Sequence, residues 1–408
     1  MKSAKLLLSF CFFAAGYSVG AQKIDEKNIQ SHIKILSADE MQGRFTGSDG
    51  ERMALEYIQK QFKGLKLQPL GVNNSYSQAF PFKSGVHGTG TEGTAHNAIA
   101  YLDNGADKTI IIGAHYDHLG LGENGSSLDA NPKGKIHNGA DDNASGVAGV
   151  LELARYFSKN KVKENNNFLF ICFSGEEMGL YGSKYFTENP TLDFSKVNYM
   201  INMDMIGRLN PTTKAITISG SGTSPVWENT IKGITNTDLV IKTDSSGIGP
   251  SDHSSFYLKN IPALHFFTGS HSDYHKPTDD WDKINYAGEK EVLELIISVI
   301  EKLDAEPKLA FLTTKNKSMG SARSFKVTMG VMPSYTSDVP GLLVDGATEG
   351  KPAHKAGIQT GDVITKIGDY EIKDIQTYMD ALGKFEKGQT VPVKVMRKNE
   401  ELTLSVTF

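Results

Sequence analysis

The chain has 408 residues, of which 39% are apolar and 22% are charged, a composition ordinary for a globular protein and long enough for one large domain and a small one. Its formal net charge at pH 7 is −4. That charge excludes the strongly basic surface expected of a nucleic-acid-binding protein or of one that docks on an acidic membrane.

The first 21 residues have the features of a secretory signal peptide. Lys2 and Lys5 precede the apolar run LLLSFCFFAAG, and small residues occupy the cleavage position at 19–21. Cleavage there would leave Cys172 as the only cysteine, so no intramolecular disulfide is expected. No later stretch is typical of a transmembrane helix. We therefore expect an exported, soluble protein, either periplasmic or secreted.

Strand-like and helical patterns alternate beyond the signal peptide. Two amphipathic helices are predicted between residues 28 and 65, separated by the loop QGRFTGSDG. Apolar runs typical of buried strands follow at residues 97–102, 109–114, 168–173, 199–204 and 262–267. Helical patterns occupy residues 145–157 and 291–303. This order predicts an α/β domain with a mixed, largely parallel sheet flanked by helices, in which ligands bind at the carboxyl ends of strands.

The character of the sequence changes near residue 306. A polar stretch without clear periodicity, EPKLAFLTTKNKSMGSA, predicts a linker, and a unit rich in glycines and alternating apolar residues follows it. We accordingly divide the chain into a signal peptide, an α/β domain, a linker and a small β-rich domain, at residues 1–21, 22–305, 306–323 and 324–408.

Histidines and carboxylates collect where the predicted strands end. Five such clusters occur, at residues 115–118, 141–142, 176–177, 204 and 274–275. Each cluster alone has a simple structural explanation: Asp141-Asp142 before a helix, for example, is compatible with N-capping. Five in succession are better explained by a shared site, because the carboxyl ends of parallel strands meet at one edge of the sheet.

Converging carboxylates repel one another unless cations neutralise them. Two neutral imidazoles and three carboxylates carry a charge of about −3, which two zinc ions and a bridging hydroxide bring near neutrality. The adjacent glutamates Glu176 and Glu177 fit such a site, since one can bind metal while its neighbour accepts a proton. The sequence therefore predicts a two-metal centre.

With GAHYDHLG, NGADDNASG, SGEEMGL, NMDMIGR and DYHKPTDD present in this order, the chain resembles the M28 family of co-catalytic zinc metallopeptidases from about residue 25 to 305. The resemblance implies the zinc-exopeptidase fold and two Zn²⁺ per chain. The implied metal ligands are His115, Asp142 as the bridge, Glu177, Asp204 and His275.

The same resemblance implies roles beside the metals. Glu176 is similar to the general base, Tyr274 to the residue that hydrogen-bonds the oxyanion, and Asp117 to a carboxylate that orients the neighbouring imidazole. Asp252 and His253 lie where relatives place a loop near the substrate pocket, so both substrate contact and helix capping are possible.

Three further residues near these motifs match no ligand or base position. His118 and His137 lie beside implied ligands and are expected to be structural. Arg208 is compatible with either a salt bridge or substrate binding. The glycine-rich stretch 119–135 is a candidate rim or lid of the site.

The C-terminal unit resembles a PDZ domain. Residues 352–372 carry the pattern A-G-x-x-x-G-D-x-I-x-x-I-x-x-x-x-I. The resemblance implies a carboxylate-binding loop at 328–331, a groove helix at 374–385 and a hairpin at 391–408 that turns near Asn399. Such domains bind extended peptides by strand addition. A packing module that closes over or tethers the catalytic domain is the alternative.

Together the resemblances favour an exported aminopeptidase acting on peptides with a free N-terminus, whose α-amine Glu176 and Asp204 would hold. A carboxypeptidase or dipeptidase of the same family is the first alternative, although the site stretches offer few basic residues besides Arg208 for a substrate carboxylate. A glutaminyl cyclase would use one zinc, whereas all five ligands are present here. A catalytically inactive PDZ scaffold would be expected to lack ligands or the base.

Overall fold

A computed structural model of the chain describes residues 22–83, 92–123, 126–314, 327–333, 339–347, 350–373, 375–398 and 400–408. The predicted signal peptide lies outside these ranges. Among the described helices, none combines the length and the apolar character needed to cross a membrane.

The larger unit is built on a mixed nine-stranded sheet. Its strands are β1 (Gln68–Pro69), β2 (Ser77–Lys83), β3 (Glu92–Leu102), β4 (Thr109–His115), β5 (Asn167–Phe173), β6 (Val197–Met203), β7 (Ala215–Ser219), β8 (Val240–Asp244) and β9 (Ala263–Phe267). Their order is β1-β3-β5-β4-β6-β9-β7-β8, with β2 paired to β3. Parallel pairing is confined to the central strands β5, β4, β6 and β9 and to the β7–β8 pair. The predicted mixed sheet is confirmed.

Helices cover both faces of this sheet. The α-helices of the larger unit are α1 (Glu26–Leu36), α2 (Asp49–Gly64), α3 (Gly146–Lys159), α4 (Tyr181–Glu188), α5 (Trp227–Lys232), α6 (His253–Tyr257) and α7 (Tyr286–Leu303). Along β5, Phe168 and Phe170 pack into the apolar cluster that contains α1, α2, α3 and α7. Leu169 and Ile171 point the other way, into the cluster with Phe186 of α4. Every residue of β4, β5 and β6 is buried, which explains why most of their residues are apolar.

The smaller unit has its own sheet and core. Its elements are β10 (Val331–Pro333), β11 (Leu342–Ala347), α8 (Pro352–Lys355), β12 (Val363–Ile367), β13 (Tyr370–Glu371), α9 (Ile375–Leu382), β14 (Thr390–Arg397) and β15 (Glu400–Thr407). The sheet order is β10-β11-β12-β14-β15, with β13 beside β12. The groove helix and the closing hairpin lie where the sequence predicts them, whereas Asn399 at the predicted turn falls outside the described residues.

The first part of the predicted linker is packed against the α/β unit. The Leu309 amide donates to Asn198 Oδ1 at 2.8 Å. The amide and hydroxyl of Thr314 lie 3.0 and 3.1 Å from the Tyr257 hydroxyl, at the end of α6. Residues 306–314 therefore belong structurally to the larger unit, and the rest of the predicted linker lies outside the described residues.

A buried cation organises the loops above the sheet. The Arg44 guanidinium, fully buried between α1 and α2, donates to four backbone carbonyls: those of Leu36 (2.5 Å), Tyr116 (2.8 Å), Asn138 (2.6 Å) and Gly139 (2.9 Å). Burial lowers the pKa of Arg44 to about 10, so the side chain is charged at neutral pH. Arg44 thus ties the end of β4 to the turn before the aspartate pair.

Replacing Arg44 by methionine should destabilise the fold by at least ~3 kcal/mol, because several buried carbonyl groups would lose their donors at once. The free energy of unfolding from urea titration measures the effect. Arg52→Met, on the exposed side of α2, should leave the unfolding midpoint nearly unchanged. Equal stability of the two variants would contradict the structural role given to Arg44.

Candidate metal centre

Histidine and carboxylate side chains lie at the ends of three adjacent strands, on one edge of the sheet. His115 is the last residue of β4, Asp204 directly follows β6, and Glu176 follows β5 after a turn at Gly175. Gly175 has a φ of +73°, a conformation that favours glycine and turns the chain over the strand end. Since β5, β4 and β6 are neighbours, these side chains meet, as the sequence predicts.

The first donor group joins the ends of β4 and β6. His115 Nε2 lies 3.4 Å from Asp142 Oδ1 and 3.4 Å from Asp204 Oδ1. One ligand atom from each of these three residues falls within 4.8 Å of the others. The family resemblance implies that His115 and Asp204 bind the same metal ion and that Asp142 bridges this ion to a second one.

The second donor group forms on the other oxygen of Asp142. His275 Nε2 lies 3.2 Å from Asp142 Oδ2 and 3.2 Å from Glu177 Oε2. His118 Nδ1 lies 2.8 Å from Glu177 Oε1 and 3.7 Å from Asp142 Oδ2. Asp142 therefore offers one oxygen to each group, which is the arrangement that a bridging carboxylate requires.

His118, which the sequence analysis expects to be structural, lies in the site. Its Nδ1 belongs with Asp142 and Glu177 to a set of donors within 4.8 Å of one another, so it can either orient Glu177 or contribute to binding. An isolated histidine in a loop has no periodicity that reveals its direction. Only its position three residues after His115 could have pointed to the site.

The electrostatics of both groups favour cations. Burial by itself lowers the pKa of His115 and His275, but neighbouring carboxylates, chiefly Asp204 and Glu177 respectively, raise it well above the ordinary value. Conversely, burial raises the pKa of Asp142, but the surrounding histidines, first His118, hold it well below its usual range. The set of imidazole and carboxylate donors matches the ligand preference of zinc.

Asp117 connects the two strand ends. Its carboxylate accepts hydrogen bonds from the backbone amides of Glu176 (3.2 Å) and Glu177 (3.3 Å) and from Thr46 Oγ1 (3.0 Å). The ring Nδ1 of His115 lies 3.2 Å from the Asp117 backbone carbonyl and 3.7 Å from its carboxylate. The closer acceptor for the imidazole is therefore the carbonyl, and the carboxylate holds the glutamate pair.

The structure separates the roles of the two adjacent aspartates. Asp141 Oδ1 accepts the Gly207 amide at 2.7 Å, and Oδ2 lies 3.1 Å from His271 Nε2, so this carboxylate faces away from the donor groups. Asp279 Oδ2 accepts the amides of both Asp141 and Asp142 at 3.0 Å. Asp279 is thus a positioning residue that the sequence analysis did not single out, although it lies in the DYHKPTDD motif.

The implied base and oxyanion donor lie beside the metal ligands. Burial raises the pKa of Glu176 well above its ordinary value, and the carboxylates of Glu177 and Asp204 raise it further. Tyr274 is half-buried, and its ring stacks on that of His275 with the centroids 3.9 Å apart.

Asp252 directly precedes α6, His253 is its first residue, and both side chains are fully buried. Burial raises the pKa of Asp252 to about 7. Its side chain makes no helix-capping hydrogen bond, so the capping alternative is wrong, whereas substrate contact stays a prediction. The ring of His253 stacks on His265 at 4.5 Å, and burial lowers the pKa of both rings.

The remaining two candidates have structural partners. The Arg208 guanidinium nitrogens lie 3.4 and 3.3 Å from Asp273 Oδ2, which is the salt bridge considered from the sequence. His137 Nε2 lies 2.6 Å from Ser127 Oγ, and His137 belongs to neither donor group.

Comparison with known proteins agrees with the fold. Residues 97–300 match the model of peptidase family M28, and residues 326–408 match the model of a PDZ domain. The chain belongs to peptidase family M28 and ends in a PDZ domain.

Individual relatives share less than a third of their aligned residues with this chain. Leupeptin-inactivating enzyme 1 of Streptomyces exfoliatus is 29% identical over 61% of this chain and 50% of its own. Leucine aminopeptidase 2 of Arthroderma otae is 28% identical over 43% of this chain and 36% of its own. The chain thus spans half or less of the length of these curated relatives. The solved Porphyromonas gingivalis glutaminyl cyclase shares the fold, with a TM-score of 0.56, 19% identity and coverage of 69% of this chain and 99% of its own.

Proposed function

We propose that the protein is an exported aminopeptidase that hydrolyses the N-terminal residue from peptides with two bound Zn²⁺ ions. The observation that carries this proposal is the position of Asp142, whose two oxygens face two separate sets of nitrogen and oxygen donors. Similarity to a leucine aminopeptidase supports the same class of reaction. The signal-like N-terminal sequence supports the proposed export.

The chain's own residues would share the work of hydrolysis. His115, Asp142 and Asp204 would hold one zinc ion, and Asp142, Glu177 and His275 the other. Bound zinc supplies a water of lowered pKa and polarises the scissile carbonyl.

Glu176 would accept the proton of the attacking water and deliver it to the departing amine. Tyr274 would donate a hydrogen bond to the developing oxyanion. Asp117 would keep Glu176 in place through the backbone amide.

The charge at the site favours an N-terminal over a C-terminal substrate end. Glu176, Asp204 and Asp252 are carboxylates that can hold an α-ammonium group. Arg208, the basic residue considered for a substrate carboxylate, is already paired with Asp273 at 3.3 Å. A carboxypeptidase would need a cation that is free to bind its substrate.

A glutaminyl cyclase is the second candidate, since the fold is shared with one such enzyme. The fold alone does not separate the two activities. The donor set does, because cyclases work with one zinc whereas this chain supplies donors on both sides of Asp142. A non-catalytic scaffold is disfavoured for the same reason.

One experiment separates these candidates. The purified protein, loaded with zinc, should contain two zinc ions per chain and release p-nitroaniline from leucine p-nitroanilide. Activity should disappear with a chelator and return with zinc. Release of ammonia from a peptide with N-terminal glutamine, without hydrolysis of the anilide, would indicate the cyclase instead. Metal binding without either reaction would reject both.

For the C-terminal domain we propose an extended peptide as ligand. Strand β10 pairs with β11 on one side, and among the described residues no strand is paired to its other edge. A peptide could add there, beside the predicted carboxylate-binding loop 328–331.

A further inference from the structure

We propose that residues 126–137, here called the His275 latch, position His275 for metal binding, an inference that rests on the proposed function. His275 Nδ1 lies 3.0 Å from the Ser126 backbone carbonyl. A carbonyl can only accept a hydrogen bond, so Nδ1 carries the ring proton. Nε2 faces Asp142 and Glu177 and would present its lone pair to a metal bound beside them, as in other histidines that bind metal.

The latch also holds the main chain of His275. That residue has a φ of +54°, in the left-handed region that non-glycine residues adopt infrequently. The Leu128 amide donates to the His275 carbonyl at 2.9 Å. Ring direction and backbone conformation are therefore both set by consecutive residues of the same segment.

A serine–histidine pair closes the latch. Ser127 Oγ lies 2.6 Å from His137 Nε2, and His137 Nδ1 lies 2.9 Å from the Lys135 carbonyl. Because that carbonyl takes the Nδ1 proton, His137 Nε2 is the acceptor and the Ser127 hydroxyl is the donor. Burial lowers the pKa of His137, which keeps the ring neutral in this arrangement.

The latch is anchored next to the strand that carries the first donor group. The His137 amide donates to the Gly120 carbonyl at 2.8 Å, five residues beyond the end of β4. His137 thus has a role that its sequence position did not reveal: it fixes the segment that fixes His275.

The two metal positions should depend on the latch to different degrees. His115 and Asp204 are held by the ends of β4 and β6, within the buried sheet. His275, in contrast, lies in a loop. Its ring Nδ1 contacts the Ser126 carbonyl, and its own carbonyl accepts the Leu128 amide. Loss of the latch contacts should therefore weaken zinc binding by Glu177 and His275 and leave zinc binding by His115 and Asp204 unchanged.

Ser127→Ala tests this directly. The full-length, zinc-loaded protein is titrated with a competing chromogenic chelator, and the two release steps are compared with those of the wild type. We expect one zinc ion to be released at about 10- to 100-fold weaker affinity, with the second step unchanged. Ser127→Thr, which keeps the hydroxyl, should restore the wild-type titration. Lys133→Gln, at an exposed position of the same segment, is the matched control.

The outcomes are separable. A Ser127→Ala protein that releases both ions as the wild type does, or that weakens both equally, overturns the latch. If Ser127→Ala does not fold, His137→Leu gives the same titration from the other side of the pair. Should the wild type bind two zinc ions yet hydrolyse no aminoacyl substrate, the proposed function fails while the titration still judges the latch.

Discussion

Glu176→Gln should lower kcat by about 10²- to 10⁴-fold, the range typical of a lost general base, while both zinc ions stay bound. The amide has nearly the shape of the carboxylate but cannot take up the proton of the attacking water. Because Glu176 belongs to neither donor group, its loss should leave the metal ligands in place. Steady-state kinetics on leucine p-nitroanilide, together with zinc analysis of the same preparation, measure both parts of the prediction.

Glu177→Gln is the matched control for this variant. It makes the same chemical change one residue later, at a side chain 3.2 Å from His275 Nε2. We expect it to weaken zinc binding at that position and to lose activity for that reason. A Glu176→Gln protein that has lost zinc, or one that keeps most of its kcat, would refute the assignment of Glu176 as the base.

The sequence predicts the convergence of the site well, for a physical reason. Strands β4, β5 and β6 are buried on both faces, so their sequences are mostly apolar and these apolar runs end abruptly. His115, Glu176 and Asp204 follow those ends directly or within a few residues. Parallel pairing then brings the three together, and the local sequence carries enough information to locate them.

The positions of side chains in irregular loops are less predictable from the sequence than those at strand ends. The direction of His118 depends on the turn after β4, which is held by Arg44 across 72 residues of sequence through the Tyr116 carbonyl. Asp279 reaches the amides of Asp141 and Asp142 from 137 or more residues away. Contacts of this kind follow from tertiary packing, and no periodic pattern in the sequence predicts them.

The predicted linker also shows that tertiary contacts cannot be read from the local sequence. Its polar, aperiodic sequence predicts a segment free of the domain, yet residues 306–314 pack along the α/β unit. Two backbone amides and one hydroxyl of this segment find side-chain partners in Asn198 and Tyr257. Leu309 is also buried in the large apolar cluster, and the Phe311 ring lies 5.4 Å from that of Tyr257. Apolar contacts and hydrogen bonds to a preformed surface together order a segment that has no periodic pattern of its own.

Asp142→Asn should remove both zinc ions and with them all measurable hydrolysis. The carboxylate is the one side chain shared by the two donor groups, with Oδ1 3.4 Å from His115 Nε2 and Oδ2 3.2 Å from His275 Nε2. An amide has a single oxygen for metal and carries no charge, so it cannot bridge. Both cations would then face each other without the anion that separates them.

Zinc analysis and thermal unfolding with and without a chelator test this prediction. Bound zinc stabilises the folded state by ~2.7 kcal/mol when free zinc is 100 times its Kd, so the chelator should lower the Tm of the wild type. It should leave the Tm of Asp142→Asn unchanged. Asp141→Asn, whose carboxylate contacts Gly207 and His271 instead, should keep both ions. Two zinc ions in Asp142→Asn would show that Asp142 does not bridge them, and its assignment as the shared ligand would have to be abandoned.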